Sequence, residues 1–332
     1  MERAGFERGA ARNERERYGR RADPMTSELI LHHYDPSPFS EKVRLVLGLK
    51  GLTWHSVIVP MVLPKPDLMP LTGGNRRTPV LQIGANIYCG TNLIAAELER
   101  RFPEPTIYPA RSHGICAMLS LWADQILFVP SSAYAIREAD HFPPGFYEDR
   151  RAMRGYATIA TGETAPHHLD QLQLQMTYVE RTLGKASPFV LGEYPSIADF
   201  AIYARVWWAQ LFGGDQGEFA ALPQVGAWLQ RIAAIGHGTR REMTPQEALA
   251  VARAAKPDAT AINAAASPVS AWMGQHVSMA TEGFGPDPVE GEVVAVADDL
   301  IALRRRDPLV GEVWVHLPRQ GYEIKSAKRK DA

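Results

Sequence analysis

With 332 residues, the chain is long enough for two or three domains with buried cores. Its 45% hydrophobic and 22% charged residues are those of an ordinary soluble globular protein, and a net charge of −1 gives no footprint for nucleic acid or an anionic membrane as partner. Two cysteines, Cys89 and Cys116, are too few for a disulfide framework or a cysteine-based metal site, and no apolar run approaches the ~18–20 residues of a spanning helix.

Residues 1–27 read as a disordered leader. Its first 24 residues hold seven arginines among five acidic residues and almost nothing to bury, and Met25 would serve as a second start. Structure begins at Leu29-Ile30-Leu31, an apolar run apt for a short buried strand. The turn Tyr34-Asp35-Pro36-Ser37-Pro38 follows, with Ser37 suited to cap a helix and Pro38 to open it. Phe39, Val43, Val46 and Leu47 then mark one apolar helical face. A hydroxyl is thus set at the positive end of a helix, where an anion such as a thiolate is stabilised. Thr53–Val59 reads as a second strand, and a proline-punctuated loop runs on to Arg77. Thr78-Pro79 precedes a strand, a hairpin turn falls near Gly84-Ala85-Asn86, and a helix capped by Thr91 follows.

From Arg111 the pattern turns helical. Leu169, Leu172, Met176, Val179 and Leu183 step by three and four, and residues 197–211 are apolar on most sides, as in a buried helix. Ser196 and Asp199 form a capping box at its start and are read as structural. Thr244-Pro245-Gln246-Glu247 opens a short helix, Lys256–Pro268 reads as a linker, and the β-branched runs of 269–325 as a small antiparallel β-module, SH3-like or OB-like, stabilised separately from the rest. Arg304-Arg305-Arg306 reads as a solvated loop and 326–332 as a frayed tail.

In order and spacing, SPFSEKVR, TPV, CGTNLIAAELE and SIAD resemble the motifs of the glutathione S-transferase superfamily, in its serine-type form. The resemblance implies a thioredoxin-like α/β domain over 28–109, ordered β-α-β-α-β-β-α, and an all-helical domain over 110–242. The helix-and-linker segment 243–268 and the all-β module 269–325 lie beyond it. Glutathione is the implied cofactor. Ser37 would donate a hydrogen bond to its sulfur, with Ser40 and Tyr34 as rival donors. Such a bond lowers a thiol pKa that is otherwise about 8.5. Thr78, before a cis Pro79, would pair with the cysteinyl backbone. Thr91 would hold the γ-glutamyl carboxylate at a helix N-terminus, Lys65 or Arg77 the glycyl carboxylate, and Phe39 would join the binding surface. Gly90 departs from the pattern, standing where the family carries an acidic or amide side chain.

The function implied is a cytoplasmic, homodimeric glutathione transferase attacking a small electrophile, with neither nucleic acid nor membrane as partner and no metal. A glutathione-dependent isomerase or dehalogenase is the enzymatic alternative. A non-catalytic glutathione-fold binding protein is the other.

Overall fold

The computed structural model describes residues 28–136, 141–153, 163–213, 217–258, 267–283, 285 and 287–327. The expected leader, most of the linker and the last five residues lie outside them. The first layer runs β1 (Ile30–His33), α1 (Pro38–Leu49), β2 (Thr53–Ile58), a short α2 (Met69–Thr72), β3 (Val80–Ile83), β4 (Asn86–Cys89) and α3 (Thr91–Arg101). β1 pairs parallel with β2 and antiparallel with β3, and β3 pairs antiparallel with β4. This is the expected thioredoxin-like order. Every residue of β1, β3 and β4 is buried, and their polar side chains are hydrogen-bonded, His32 Nε2 to Gln82 Oε1 at 2.8 Å and His33 Nε2 to Ser56 Oγ at 3.0 Å among them.

The helical layer holds α4 (His113–Leu121), a π-helical stretch Trp122–Leu127, α5 (Phe128–Ala135), α6 (Phe146–Ala152), α7 (Ala165–Thr182), α8 (Ile197–Gly213) and α9 (Pro223–Ala233). The continuous helix His113–Ala135 is, contrary to the sequence reading, long and apolar enough to cross a membrane by length and composition. Here it packs against α8. At the start of α8 the Asp199 carboxylate accepts from Ser196 N (2.9 Å) and Ser196 Oγ (2.6 Å). Its other oxygen accepts from Val190 N (2.8 Å) and Trp228 Nε1 (2.9 Å). One buried carboxylate thus joins the helix start, a loop and α9. A short strand β5 (Thr239–Glu242), absent from the sequence reading, pairs parallel with β2, and α10 (Pro245–Ala254) starts with the expected capping box at Thr244 and Glu247.

The C-terminal strands β6 (His276–Thr281), β7 (Val289–Val296), β8 (Leu300–Asp307), β9 (Gly311–Pro318) and β10 (Tyr322–Ser326) pair antiparallel among themselves, as expected. Arg304, Arg305 and Arg306 lie within β8, not in a loop. The strands do not close into a barrel. β9 pairs parallel with β4, Ile87 opposite Val315, so ten strands form one sheet in the order β10-β6-β7-β8-β9-β4-β3-β1-β2-β5. Nor is the core separate: Val277, Val293, Leu303, Val313, Val315 and Leu317 cluster with Leu68, Leu71, Val80 and Ile87 of the first layer. β4 would otherwise be an edge strand with unpaired backbone groups, and the extension covers it.

Candidate functional site

A cavity of about 1140 Å³ lies where the first layer, the helical layer and the C-terminal extension meet. Its first-layer wall brings together Tyr34, Phe39, Lys65, Arg77, Thr78, Pro79, Gly90 and Thr91, all of them sequence candidates. The Thr78–Pro79 peptide bond is cis, as the resemblance implied.

Ser37 and Ser40 are placed differently. Ser37 is fully buried, its Oγ accepts the Ser40 N–H at 3.2 Å to cap α1, and neither serine lines the cavity. The capping pattern that singled out Ser37 is therefore present, and it is burial beneath the wall, not the bond it accepts, that sets its hydroxyl apart from the cavity. Tyr34 is the one of the three candidate hydroxyl residues on that wall, half-buried, with Lys65 Nζ 5.6 Å from its ring centre. Since Pro38 has no N–H and that of Ser40 goes to Ser37, the open donor of this helix end is the Phe39 N–H.

The α3 start also corrects the reading. Gly90, not Thr91, is the N-cap, and no side chain caps the helix. The first intrahelical bond is Ile94 N to Gly90 O at 2.9 Å, so the N–H groups of Thr91, Asn92 and Leu93 are left at a helix N-terminus on the cavity wall. Gly90 itself is explained by the extension. Its φ is +96°, and a Cβ there would stand 2.9 Å from Pro318 Cγ at the end of β9. No acidic or amide side chain fits.

Of the two basic candidates, Arg77 is engaged by the extension. Its guanidinium donates to the Tyr322 hydroxyl, lies 5.2 Å from that ring's centre, and donates to Asn75 Oδ1 at 3.3 Å. Lys65 is 5% exposed and donates to Arg76 O at 3.0 Å. Burial, with the Arg150 charge beside it, lowers its pKa to about 7 although Asp149 acts the other way. Sequence reasoning missed Arg76 and the α6 pair Asp149 and Arg150, which share this end of the cavity: Asp149 takes Arg76 at 3.1 Å and its neighbour Arg150.

Also missed was a polar bridge that reaches the wall through Asn92 and Asp124. Buried Lys42 of α1 donates to Asn92 Oδ1 (2.7 Å) and Asp124 Oδ2 (3.0 Å), and Arg205 of α8 holds Asp124 Oδ1 at 3.0 Å. It ties α1, α3, the π-helical stretch and α8 around the cavity. Nothing in the local sequence pairs Lys42 with a carboxylate eighty residues away. Cys89 is a core residue, its thiol pushed up to about 12 by burial. Cys116 is buried too, on the cavity wall. Among the described residues no group of three His, Cys, Asp or Glu is placed to hold a metal.

The family models for the glutathione S-transferase N-terminal and C-terminal domains match residues 31–106 and 134–235. A crystal structure of a GST-like protein from Pseudomonas syringae is 34% identical, over 91% of this chain and 100% of that one, with a TM-score of 0.75. The chain belongs to the glutathione S-transferase superfamily. Because the domain models end at residue 235, a match over 91% of the chain must include the C-terminal extension. A glutathione S-transferase from Rhodospirillum rubrum F11 (18% identity, 62% of this chain and 88% of that one, TM-score 0.52) shares the fold. So does FzlA from C. crescentus (22%, 67% and 92%, 0.51). No curated protein matches the sequence.

Proposed function

We propose that the chain is a glutathione transferase that binds glutathione in the 1140 Å³ cavity and ionises its thiol for attack on an electrophilic carbon. The observation that carries this is the convergence, on one wall, of Thr78 with its cis proline, the uncapped N-terminus of α3 and the open end of α1. Thr78 would pair with the cysteinyl backbone, and the Thr91–Leu93 N–H groups would take the γ-glutamyl carboxylate. Lys65 would take the glycyl carboxylate, since Arg77 is held by Tyr322. The sulfur then falls to the Phe39 N–H and the Tyr34 hydroxyl, while Ser37 keeps its capping role. A donor to the sulfur favours the thiolate, and the helix end adds a positive partial charge.

The cavity exceeds the ~300–1,000 Å³ usual for one small ligand, which supports a site for glutathione together with a second reactant. A homodimer is supported by Ile115, Met118, Ile126 and Val129, each at least 40% exposed along the continuous helix His113–Ala135. Calorimetric titration with glutathione, followed by turnover of a panel of electrophiles, tests the reading. Saturable binding with conjugation of at least one electrophile is expected. Binding without conjugation would leave a non-catalytic glutathione-binding protein, and no binding would overturn the proposal.

A further inference from the structure

The ten-stranded sheet ends at β10, which has β6 on one side and, among the described residues, no strand on the other. Its hydrogen bonds to β6 fix which backbone groups face outward. The Ala327 N–H donates to His276 O (3.0 Å) and the Glu282 N–H to Gly321 O (3.0 Å). These two pairs extend the register of Tyr322 on Thr281 and Ser326 on Val277 by one residue at each end. Hydrogen-bonded pairs alternate along an antiparallel ladder, so Gly321, Glu323, Lys325 and Ala327 turn their N–H and C=O groups towards β6. Those of Tyr322, Ile324 and Ser326 point away from it, along an open edge. Side chains alternate by face, so Glu323 and Lys325 stand together on one face. Both are exposed, with Lys325 Nζ 2.8 Å from Glu323 Oε2.

We propose that this edge pairs antiparallel with β10 of a second copy of the chain, carrying the sheet across a two-fold axis at Ile324. Backbone parity and charge both point to that partner. With Ile324 opposite its own counterpart, Tyr322 falls opposite Ser326 of the other copy. The outward N–H and C=O groups of all three residues then meet complementary groups. Glu323 of each copy falls directly opposite Lys325 of the other, in the non-hydrogen-bonded pairs whose side chains come closest. A lysine on a sheet edge ordinarily keeps a second edge away. Here the glutamate two residues before it turns repulsion into attraction, and for one register only. A slip of two residues in either direction would set Glu323 against Glu323 or Lys325 against Lys325. A slip of one would move the charges to opposite faces. The backbone supplies the contact and the charges select its register. A pairing of five residues is small beside stable interfaces, so the contact is weak and concentration-dependent. It is additional to a dimer through the apolar stripe, which belongs to the helical layer.

The test is sedimentation velocity of the full-length protein, followed from micromolar to near-millimolar concentration. The weight-average coefficient of the wild type is expected to rise with concentration, and to rise less at high salt, which screens exposed charges. Glu323→Lys and Lys325→Glu, both at exposed positions, are each expected to abolish the rise, because every opposed pair then carries like charges. An equimolar mixture of the two is expected to restore it, since each variant then faces the opposite charge on the other. Ser326→Pro leaves both charges in place but removes an outward N–H at an exposed position, and is expected to abolish the rise as well. A wild-type coefficient independent of concentration, or a rise that salt does not weaken, overturns the proposal without recourse to any variant. So does a rise that survives Ser326→Pro. Reversal variants that associate alone as the wild type does, or that stay apart when mixed, overturn it too.

Discussion

At the scale of single residues, the extension explains what the first domain alone leaves odd. Gly90 is glycine because Pro318 lies against it and its backbone is in the left-handed region. Gly90→Asp, which restores the family's acidic side chain, is expected to destabilise the protein by more than about 1 kcal/mol without tightening glutathione binding. Thermal melts and calorimetry check this, and a tighter, equally stable variant would contradict it. Lys65 makes a second prediction. Burial lowers its folded pKa to about 7, so near neutrality it is partly uncharged in the free protein. Below pH 7 it is a cation ready for a carboxylate. Above it, binding must first protonate it, so glutathione affinity is expected to fall as pH rises from 7 to 9. Lys65→Met should weaken binding and remove that slope, measured as Kd against pH. The stability linkage has the opposite sense: the unfolded chain binds the extra proton between about pH 7 and 10.4, so this residue's burden on stability shrinks as pH rises through that window.

At the scale of elements, β9 is the joint. It pairs with β4 on one side and β8 on the other, and its Val313, Val315 and Leu317 are fully buried in a cluster shared with β3, β4 and α2. Leu317→Ala is expected to cost about 2–5 kcal/mol. A chain ending at residue 266 is expected to be insoluble or to melt far lower, because Val80 and Ile87 lose their cover and β4 becomes an edge. A soluble truncation with an unchanged Tm would show the extension to be dispensable. This dependence was not legible in the sequence, although the strands themselves were. Alternation in GEVWVHL gives a strand and its faces, but not which strand it joins, and the linker composition suggested independence. Motifs closed within a few residues were readable: the cis Thr78-Pro79, the Ser196–Asp199 cap and the Thr244–Glu247 box. Ser37 was readable as a cap but its burial beneath the cavity wall was not, because capping is local and exposure is not. Lys42–Asp124–Arg205 and Arg77–Tyr322 join distant segments and leave no local pattern.

At the scale of the whole molecule, one sheet of ten strands carries a site with three walls, and the helical layer turns an apolar stripe outward. Met118→Asp combined with Ile126→Asp is expected to convert a dimer to a monomer in sedimentation. An unchanged sedimentation coefficient would place the interface elsewhere. The central claim is that this cavity ionises a glutathione thiol through Tyr34 and the open end of α1. The most direct measurement is the thiolate absorbance of the glutathione complex titrated against pH, for the wild type, Tyr34→Phe and Ser37→Ala. Thiolate is expected to form in the wild type at least one pH unit below the ~8.5 of a free thiol. Tyr34→Phe should move the midpoint back towards that value, and Ser37→Ala should chiefly lower stability, by the ~0.5–2 kcal/mol of a lost cap. A wild-type midpoint at the free-thiol value would contradict the account. So would a midpoint that Ser37→Ala moves and Tyr34→Phe does not.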